Sequence, residues 1–497
     1  MPPSRPARCG NEGPNPRPHV SHYTTFRLAP WPTPPGSAHG RPGVGLQRVD
    51  VARRDGRRRA HLLRDTSIWK HEAPAGAGSG RTCVSGESVT RPDPGMPPVP
   101  AGSAEETLSG DWARGAWDEA AFAREQAALG RLWTFLGMVA DVAEDGQWFR
   151  TVLGGRSIFV QRFGEEIRGF ENRCAHRLHP LRTGDRGRGP VVCAFHHWRY
   201  NKDGLALGIP VCDEAFGTSP KALDARLAPV ELGVCGGLLF GRFPSPGHSE
   251  SLADFLGDTA PLMETLCPAR GRARRIGGEI RANWKFLTHI GLDDYHLVAV
   301  HPTTFGRNGY LKAADVTYAR FGRHSLYTTE AGDDPAGRIL AACRAGTYLP
   351  RDYVILNVFP SLGLSQFHAV DLFGRAHYRV LAYRYAPLAP GLSRLDGWLL
   401  PAPEPAARRG VRGVIDRIAA AAVSRIVPFH VRRVMGEDNA VCERLQTMAR
   451  QMDAPQRLSP AFEARIGWFE EACAAALRGA SAPAGAEPQP PPDPPPT

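Results

Sequence analysis

Two short segments in the middle of the chain each carry one cysteine and one histidine. Cys174 and His176 form a Cys-x-His pair, and Cys193 and His196 form a Cys-x-x-His pair after sixteen intervening residues. Two thiolates and two imidazoles can hold a [2Fe–2S] cluster of mixed ligation, with the cysteines on one iron and the histidines on the other. Each segment then supplies one ligand to each iron. Because neutral imidazoles replace two thiolates, such a cluster has a raised reduction potential and passes single electrons.

A structural zinc ion is the alternative for the same four residues, since two Cys and two His also form a tetrahedral site. Zinc motifs usually present the Cys pair and the His pair as separate knuckles, whereas here each segment contributes one of each. The alternation therefore favours the cluster. A zinc-stabilised binding protein would be colourless, and an oxidised iron–sulfur protein of this kind would be reddish-brown.

The positive charge of the chain is concentrated at its beginning. The 497 residues carry a net charge of +11, and residues 1–95 account for +8 of it, with fifteen Lys/Arg against seven Asp/Glu. The remainder is nearly neutral and has no basic stripe, so no nucleic-acid partner is predicted. No apolar run approaches the ~20 residues that span a bilayer, so no membrane association is predicted. Ten scattered cysteines and no secretory signal indicate a cytoplasmic protein.

Composition and apolar periodicity divide the chain into segments. The length is sufficient for two cores. We predict a disordered extension rich in Pro, Gly, Arg and Ser, with Met96 as a candidate native start, then a helical segment, a β-rich domain, a mixed domain and a disordered Pro-rich tail. In that order, these five segments span residues 1–95, 96–133, 134–245, 250–478 and 479–497. In the mixed domain we predict strands over 352–359, 364–371 and 376–386 and helices over 412–427, 430–450 and 460–478.

A second group of polar residues lies in the mixed domain. Asp293, His296 and His301 follow an Asp-x-x-His-x-x-x-x-His spacing on a predicted helix. Five residues correspond to about 140° around an ideal helix, so the two histidines converge only where the helix ends or is distorted. This spacing alone is a weak signal.

Asp438 strengthens that signal, because it falls on the apolar stripe of the predicted helix 430–450, between Val431 and Val441. A carboxylate on a buried face is costly unless it is paired or binds a metal. An ion pair is the alternative, with partners available at Arg432, Arg433 and Arg444. Two histidines and one carboxylate form the facial triad that leaves open positions on a non-haem Fe(II).

Together these motifs resemble the Rieske non-haem iron oxygenases, specifically the large (alpha) catalytic subunit of the aromatic ring-hydroxylating oxygenases. The resemblance covers roughly residues 110–475. It is carried by CAHR (174–177), CAFHHWRYNKDG (193–204), NWK (283–285), DDYHLVAVHP (293–302) and EDNAVCERLQ (437–446).

The resemblance implies a role for each motif residue. Cys174, His176, Cys193 and His196 correspond to the ligands of one Rieske [2Fe–2S] cluster. The ligands of one mononuclear Fe(II) correspond to His296, His301 and Asp438. Asp293 resembles the carboxylate that connects a cluster histidine of one subunit to an iron histidine of its neighbour. The implied fold is α+β, an antiparallel β-rich Rieske domain followed by a helix-grip catalytic domain with a curved antiparallel sheet.

The sequence departs from the family pattern at two places. His197 stands where family members usually have Gly directly after the second cluster histidine. Thr288 and His289 occupy the positions of a common Glu-Asn pair, so His289 is either a hydrogen-bonded neighbour of the iron site or a fourth candidate ligand.

The implied activity is that of a terminal oxygenase that uses O2 and electrons from NAD(P)H to hydroxylate an aromatic or other apolar compound. No dinucleotide fingerprint is present, so a separate flavin reductase or ferredoxin is expected. The family's electron path implies a homotrimer, either alone or together with a small beta subunit. The alternatives are a Rieske monooxygenase or O- or N-demethylase and an electron-transfer protein without oxygenase activity. Candidate pocket residues are Phe286, Phe305, Ile355, Phe359 and Phe367.

Overall fold

The computed structural model of the chain describes residues 25–27, 107–108, 110–245, 247, 249–269, 273–304, 311–371, 374–403 and 410–481. Met96, most of the predicted extension 1–95 and most of the predicted tail 479–497 lie outside the described residues. Within the extension, Thr25–Arg27 forms a short strand that pairs in parallel with Leu362–Val370.

In the described part of the segment 96–133, which the sequence predicts to be helical, the α-helix is much shorter than the segment. It runs from Glu119 to Leu129 and is preceded by a 3-10 turn over Gly110–Ala116. Asp118 caps the helix by accepting a hydrogen bond from the Ala121 amide. Gly130 follows the last helical residue, and a strand begins at Thr134.

The first domain is built on a seven-stranded antiparallel sheet. In sheet order its strands are Thr134–Met138, Leu238–Arg242, Pro229–Cys235, Glu166–Glu171, Arg156–Phe163, Gln147–Leu153 and Arg186–Arg188. A second, three-stranded sheet consists of Ala206–Gly208, Arg199–Tyr200 and Val191–Val192, and short helices span Cys212–Phe216 and Pro220–Leu223. Both segments with a Cys/His pair form loops between these strands.

The second domain is built on one long antiparallel sheet. In order its strands are Arg274–Ile280, Leu392–Pro401, Ala376–Ala389, Leu362–Val370, Val354–Val358, His324–Thr328 and Thr317–Phe321. Its helices are Leu252–Leu256, Ala260–Leu266, Trp284–Ile290, Leu297–Val300, Pro335–Arg344, Gly410–Met448 and Ala464–Ser481. Gln456–Arg457 pairs with Thr107–Leu108. The predicted α+β fold class is confirmed.

Side chains alternate between the two faces of this sheet, and each face has its own core. Val380 and Ala382 pack on one face with Leu326, Leu340 and other aliphatic side chains. Leu381 and Tyr385 point to the other face, against the helices Trp284–Ile290 and Gly410–Met448. This second face is the one that carries the candidate iron site.

One long helix, Gly410–Met448, replaces the two helices predicted over 412–427 and 430–450, so that prediction was wrong. Pro428 lies inside this helix, where it lacks an N–H and its ring crowds the preceding turn, which favours a break. Val423, Val427 and Val431 flank the proline on one face and are at most 6% exposed. Tertiary burial of this stripe outweighs the local cost of the proline and continues the helix to Asp438.

The two domains are joined by buried polar contacts. Arg384 of the second sheet donates to the backbone carbonyls of Phe135 and Val152 in the first domain. Asp141 accepts hydrogen bonds from Trp398 at 2.8 Å and Arg275 at 3.0 Å. In the described part of the chain, no helix is long and apolar enough to cross a bilayer.

Candidate metal centres and cavity

The two Cys/His loops face each other at the end of the first domain. The Nδ1 atoms of His176 and His196 are 3.1 Å apart. Cys174 and Cys193 are buried at 2% and 1% exposure, whereas His196 is exposed. The pair of thiols therefore lies inside and the pair of imidazoles at the surface, the order expected for a cluster with one buried and one outward iron.

The spacing of the four side chains also bears on the zinc alternative. Ligand atoms on one zinc ion lie ~2–2.3 Å from it, so they are within ~4 Å of one another. Among the described residues, the triad His296, His301 and Asp438 is the only group of three that brings its ligand atoms within 4.8 Å of one another. Among the described residues, the two Cys/His loops do not form such a group.

Hydrogen-bond donors surround the two sulfurs. The Tyr200 hydroxyl lies 3.0 Å from Cys174 Sγ. Burial and the neighbouring Cys174 raise the pKa of Tyr200, so its hydroxyl stays protonated and can donate to a thiolate. Burial also raises the pKa of Cys193, against the backbone amides of Phe195 and His196, which donate to its sulfur and favour the thiolate. The sequence analysis did not identify Tyr200, although it follows Cys193 closely.

The second candidate site depends on a break in the helix predicted through Asp293. The helix Trp284–Ile290 ends before Gly291. Asp293 Oδ1 then accepts hydrogen bonds from the amides of Tyr295 at 2.6 Å and His296 at 3.2 Å. Such a side-chain turn competes with helix propagation. The single predicted helix was therefore wrong, and His296 and His301 instead flank a short helix, Leu297–Val300.

This break brings the three predicted side chains together. The Nε2 atoms of His296 and His301 lie 3.4 and 2.9 Å from Asp438 Oδ1, which the long helix presents to them. None of the arginines considered as alternatives pairs with Asp438; Arg433 pairs with Glu437 instead. Both ring nitrogens of His296 and Asp438 Oδ1 are buried, and their short contacts with one another and with Asp293 do not have hydrogen-bond geometry. Buried polar atoms without partners are costly, and a bound metal ion would satisfy them.

A carboxylate lies on the Nδ1 side of each histidine. Glu437 Oε2 is 2.8 Å from His301 Nδ1, and Asp293 Oδ2 is 3.5 Å from His296 Nδ1. Carboxylates in this position fix the orientation and tautomer of a metal-binding imidazole and leave Nε2 for the metal. The sequence analysis missed Glu437; its place beside Asp438 was the available signal.

The local charges are strongly coupled. Burial works to lower the pKa of His296, but Asp293 and Asp438 outweigh it and raise that pKa to about 10. Burial works to raise the pKa of Asp438, and the two histidines outweigh it and lower that pKa. Without a metal the site therefore attracts protons, and a divalent cation would occupy the same electrostatic minimum.

A cavity of about 130 Å³ adjoins these three side chains. The described residues that line it include all three, Asp293, and side chains from four strands of the curved sheet. Of the pocket residues predicted from sequence, Ile355 and Phe367 line it, Phe286 and Phe359 pack in the core, and Phe305 lies outside the described residues.

His289 belongs to a different group. Its Nε2 lies 2.7 Å from Glu470 Oε1, and its ring stacks at a tilt on Trp112 with centroids 4.4 Å apart. Lys285 pairs with the same Glu470 at 2.9 Å. The structure does not bring His289 to the triad as a fourth ligand.

Two segments of the chain match models of known protein families. Residues 132–223 match the family described as Rieske [2Fe-2S] domain, and residues 268–479 match ring hydroxylating alpha subunit (catalytic domain). The large subunit of anthranilate 1,2-dioxygenase from Burkholderia cepacia is 28% identical over 43% of this chain and 54% of its own length. The oxygenase subunit of glycine betaine monooxygenase from Chromohalobacter salexigens is 29% identical over 34% of this chain and 38% of its own length. The chain thus spans about half, or less, of these relatives.

Solved structures share the fold over a larger part. Naphthalene 1,2-dioxygenase from Rhodococcus sp. superimposes with a TM-score of 0.59 at 19% identity and covers 76% of this chain and 95% of its own. The quaternary ammonium monooxygenase CntA superimposes with a TM-score of 0.58 at 15% identity and covers 75% of this chain and 95% of its own.

Proposed function

Because the chain belongs to the Rieske oxygenases, whose members are oxidoreductases, we propose that it is a terminal oxygenase component. In this proposal it uses O2 and electrons from NAD(P)H, supplied by a separate ferredoxin or flavin reductase, to hydroxylate a small organic substrate. Cys174, His176, Cys193 and His196 hold the [2Fe–2S] cluster. His296, His301 and Asp438 hold one Fe(II).

The convergence of three buried side chains whose ligand atoms lack hydrogen-bond geometry with one another carries this proposal. His296 and Asp438 contribute such atoms at the wall of a cavity, and His301 Nε2 lies 2.9 Å from Asp438 Oδ1. A mononuclear iron with three protein ligands has open positions for oxygen, and the cluster supplies electrons one at a time. An electron-transfer protein without oxygenase activity would have no need of this second site, so the cavity favours the oxygenase.

The residues around the site have separate tasks. Glu437 holds His301 through Nδ1, and Asp293 faces Nδ1 of His296 and anchors the backbone turn that carries it. The apolar side chains of the cavity keep bulk water away from the reacting atoms. The sheet and the long helix hold the substrate between them, because the reaction requires a fixed orientation of substrate and reactive centre.

Electron transfer is proposed to cross between subunits. His196 is exposed, and the ring of Phe195, 49% exposed, lies 3.8 Å from it by centroids. Phe216, 39% exposed, lies 5.9 Å from the ring of His176. Exposed aromatic side chains beside both cluster histidines are typical of a surface that another protein covers. We assign it to a neighbouring copy in a homotrimer, with Asp293 of that copy facing the cluster histidines.

The test uses Asp293→Asn in the purified holoenzyme, after an oxygen-uptake screen of aromatic and methoxylated compounds with a generic reductase has found a substrate. We expect both metals to stay bound and coupled product formation to fall about 100-fold, since carboxylates that orient metal ligands carry effects of this size. Asp258→Asn, an exposed carboxylate paired with Arg344, is the matched control and should retain full activity. Full coupled activity in the Asp293 variant would exclude the bridging role.

A further inference from the structure

The turn that carries His296 is attached to a distant part of the chain. The Asp294 amide donates a hydrogen bond to the Phe462 carbonyl at 3.0 Å. The rings of Tyr295 and Phe462 are stacked, with centroids 6.0 Å apart and an angle of 15° between their planes. The segment just before the last helix, Ala464–Ser481, therefore contacts this turn through both backbone and side chains.

A buried ion pair reinforces this attachment. Arg465, in the first turn of the last helix, donates from Nη2 to Asp294 Oδ2 at 2.8 Å. The Tyr318 hydroxyl donates to the same oxygen at 2.8 Å. The side chains of Arg465 and Asp294 are 0% and 5% exposed. At this burial the pair stays closed, because separating it would leave a charge without compensation inside the protein.

The surroundings of Arg465 hold its guanidinium in one orientation. The guanidinium carbon lies 5.4 Å from the ring centroid of Tyr318 and 5.2 Å from that of Tyr327. Nε and Nη1 of Arg465 are buried and have no hydrogen-bond partner in the described part of the chain. The two aromatic rings compensate for this through cation–π contacts. Arg465 is therefore directed at Asp294.

Two adjacent carboxylates are available to form the turn before His296. Asp293 Oδ1 accepts hydrogen bonds from the amides of Tyr295 and His296, and its Oδ2 lies 3.5 Å from His296 Nδ1. A turn formed by Asp294 instead would lie one residue later and would displace His296. Because Arg465 holds Asp294 in the interior, Asp293 is the carboxylate that forms the turn.

We propose that Arg465 is a positioning residue of the candidate iron site, which acts by pairing with Asp294 and so fixes the turn that carries Asp293 and His296. The inference rests on the proposed function, because it takes His296 as an iron ligand. It gives the last helix of the chain a role in metal binding, although none of the three proposed iron ligands belongs to that helix.

The experiment measures the dissociation constant of Fe(II) at the mononuclear site. The purified protein with its cluster intact competes anaerobically with a coloured Fe(II) chelator. Arg465→Met should weaken Fe(II) binding about tenfold, the lower end of the range for residues that orient metal ligands, since Arg465 acts one contact further away. The visible spectrum of the cluster should be unchanged.

The change in charge works in the opposite direction. Removing a cation from the neighbourhood of a metal site lowers the repulsion of Fe(II) and by itself strengthens binding. Weaker binding by Arg465→Met therefore reports a lost position of the ligands and not an altered charge.

Arg384→Met is the matched control for loss of a buried arginine. Arg384 is 1% exposed and donates to the carbonyls of Phe135 and Val152 at the junction of the two domains. Both Arg→Met variants should lower the temperature of thermal unfolding. Arg384→Met should leave the dissociation constant of Fe(II) unchanged, so the constant separates positioning from stability.

Tyr318→Phe is the milder variant, because it removes one hydrogen bond to Asp294 and keeps the ring and the ion pair. It should weaken Fe(II) binding about threefold, a part of the value of a hydrogen bond to a charged group. Tyr348→Phe should change nothing, since Tyr348 bonds Gln366 at 2.9 Å and packs in the core on the opposite face of the sheet.

Fe(II) binding by Arg465→Met that equals or exceeds that of the wild type would overturn the inference, as would an equal loss in Arg384→Met. If Arg465→Met does not assemble the cluster, Tyr318→Phe decides, and an unchanged dissociation constant in that variant overturns the inference. A wild-type protein that binds no Fe(II) besides its cluster would overturn the proposed function and the inference with it.

Discussion

At the scale of single residues, the two cluster loops end alike, although their sequences differ. Leu178 and His197 each donate a backbone hydrogen bond to the carbonyl of the cysteine four residues earlier, Cys174 or Cys193. Both adopt left-handed backbone angles, with φ of 58° and 57°. This conformation costs a residue with a Cβ about 1–2 kcal/mol relative to right-handed alternatives. The preference for Gly that the family shows after the second histidine therefore has a steric reason.

His197→Gly should accordingly raise the free energy of unfolding by up to about 1 kcal/mol, the strain relieved less the extra chain entropy of glycine. Thermal unfolding of the holoprotein measures this. His197→Ala keeps the Cβ and should give no gain, so equal stabilisation by Ala and Gly would contradict the account. The visible absorption of the cluster should be unchanged in both variants.

Tyr200 is expected to tune the cluster. Its hydroxyl donates toward Cys174 Sγ at 3.0 Å, and hydrogen bonds to cluster sulfurs raise the reduction potential. Tyr200→Phe should lower the potential by roughly 40 mV, equivalent to about 1 kcal/mol in a one-electron couple. A redox titration followed by visible absorption measures it. An unchanged potential would show that the hydroxyl does not donate to the cluster ligand.

Sequence reasoning singled out residues whose chemistry conflicts with their surroundings. Asp438 was recognisable because a carboxylate interrupts an apolar stripe, and the Cys/His pairs because of their dense spacing. Glu437 and Tyr200 give no such conflict, since a glutamate at a helix surface and a tyrosine in a strand are ordinary. Their roles follow only from distances across the fold.

At the scale of elements, three helices are tied together by one buried group of charges. Lys285 of helix Trp284–Ile290 pairs with Glu125 at 3.0 Å and Glu470 at 2.9 Å, which belong to the helices Glu119–Leu129 and Ala464–Ser481. Side-chain exposure is 4% for Lys285, 6% for Glu125 and 7% for Glu470. His289 and the Trp284 indole complete the group. The helix that precedes the iron site is held in place through these contacts.

Lys285→Met would leave two buried carboxylates without their cation and should lower the free energy of unfolding by about 3–5 kcal/mol. Denaturant unfolding at neutral pH measures it. Arg344→Met removes the cation of an exposed pair with Asp258 and should cost less than about 1 kcal/mol. If the two variants lost similar free energies of unfolding, the claim that burial makes the ion pairs of Lys285 more important than an exposed pair would be contradicted.

The same buried group of charges predicts that the free energy of unfolding depends on pH. Burial works to raise the pKa of Glu470, but Lys285 and His289 outweigh it and lower that pKa. A carboxylate with a lowered pKa stabilises the fold above its unfolded pKa, and this contribution is lost as the pH falls through the folded pKa. The difference in stability between wild type and Lys285→Met should therefore shrink on acidification.

Elements were predicted from sequence where apolar periodicity was undisturbed, as in the strands around 352–386. The errors have specific physical causes. The side chain of Asp293 ends a helix that the pattern continued, and burial of Val423, Val427 and Val431 carries a helix through Pro428 that the pattern ended. Both depend on contacts that a local pattern does not contain.

At the scale of the whole molecule, a Rieske domain and a ring-hydroxylating catalytic domain occur in one chain and share a buried polar junction. Arg384 and Asp141 fix the two sheets to each other. His196 and the adjacent Phe195 are exposed in the single chain, and the proposed function assigns this surface to a neighbouring copy. The proposed reaction thus requires both sites in one polypeptide and an assembly that brings sites of different copies together.

The metal content of the purified protein tests the central claim most directly. We predict about three iron atoms and about two acid-labile sulfides per chain, the sum of one [2Fe–2S] cluster and one mononuclear iron. His301→Ala should lose about one iron and keep the sulfide and the visible spectrum of the cluster. A colourless protein with zinc in place of iron, or an iron content unchanged by His301→Ala, would contradict the account.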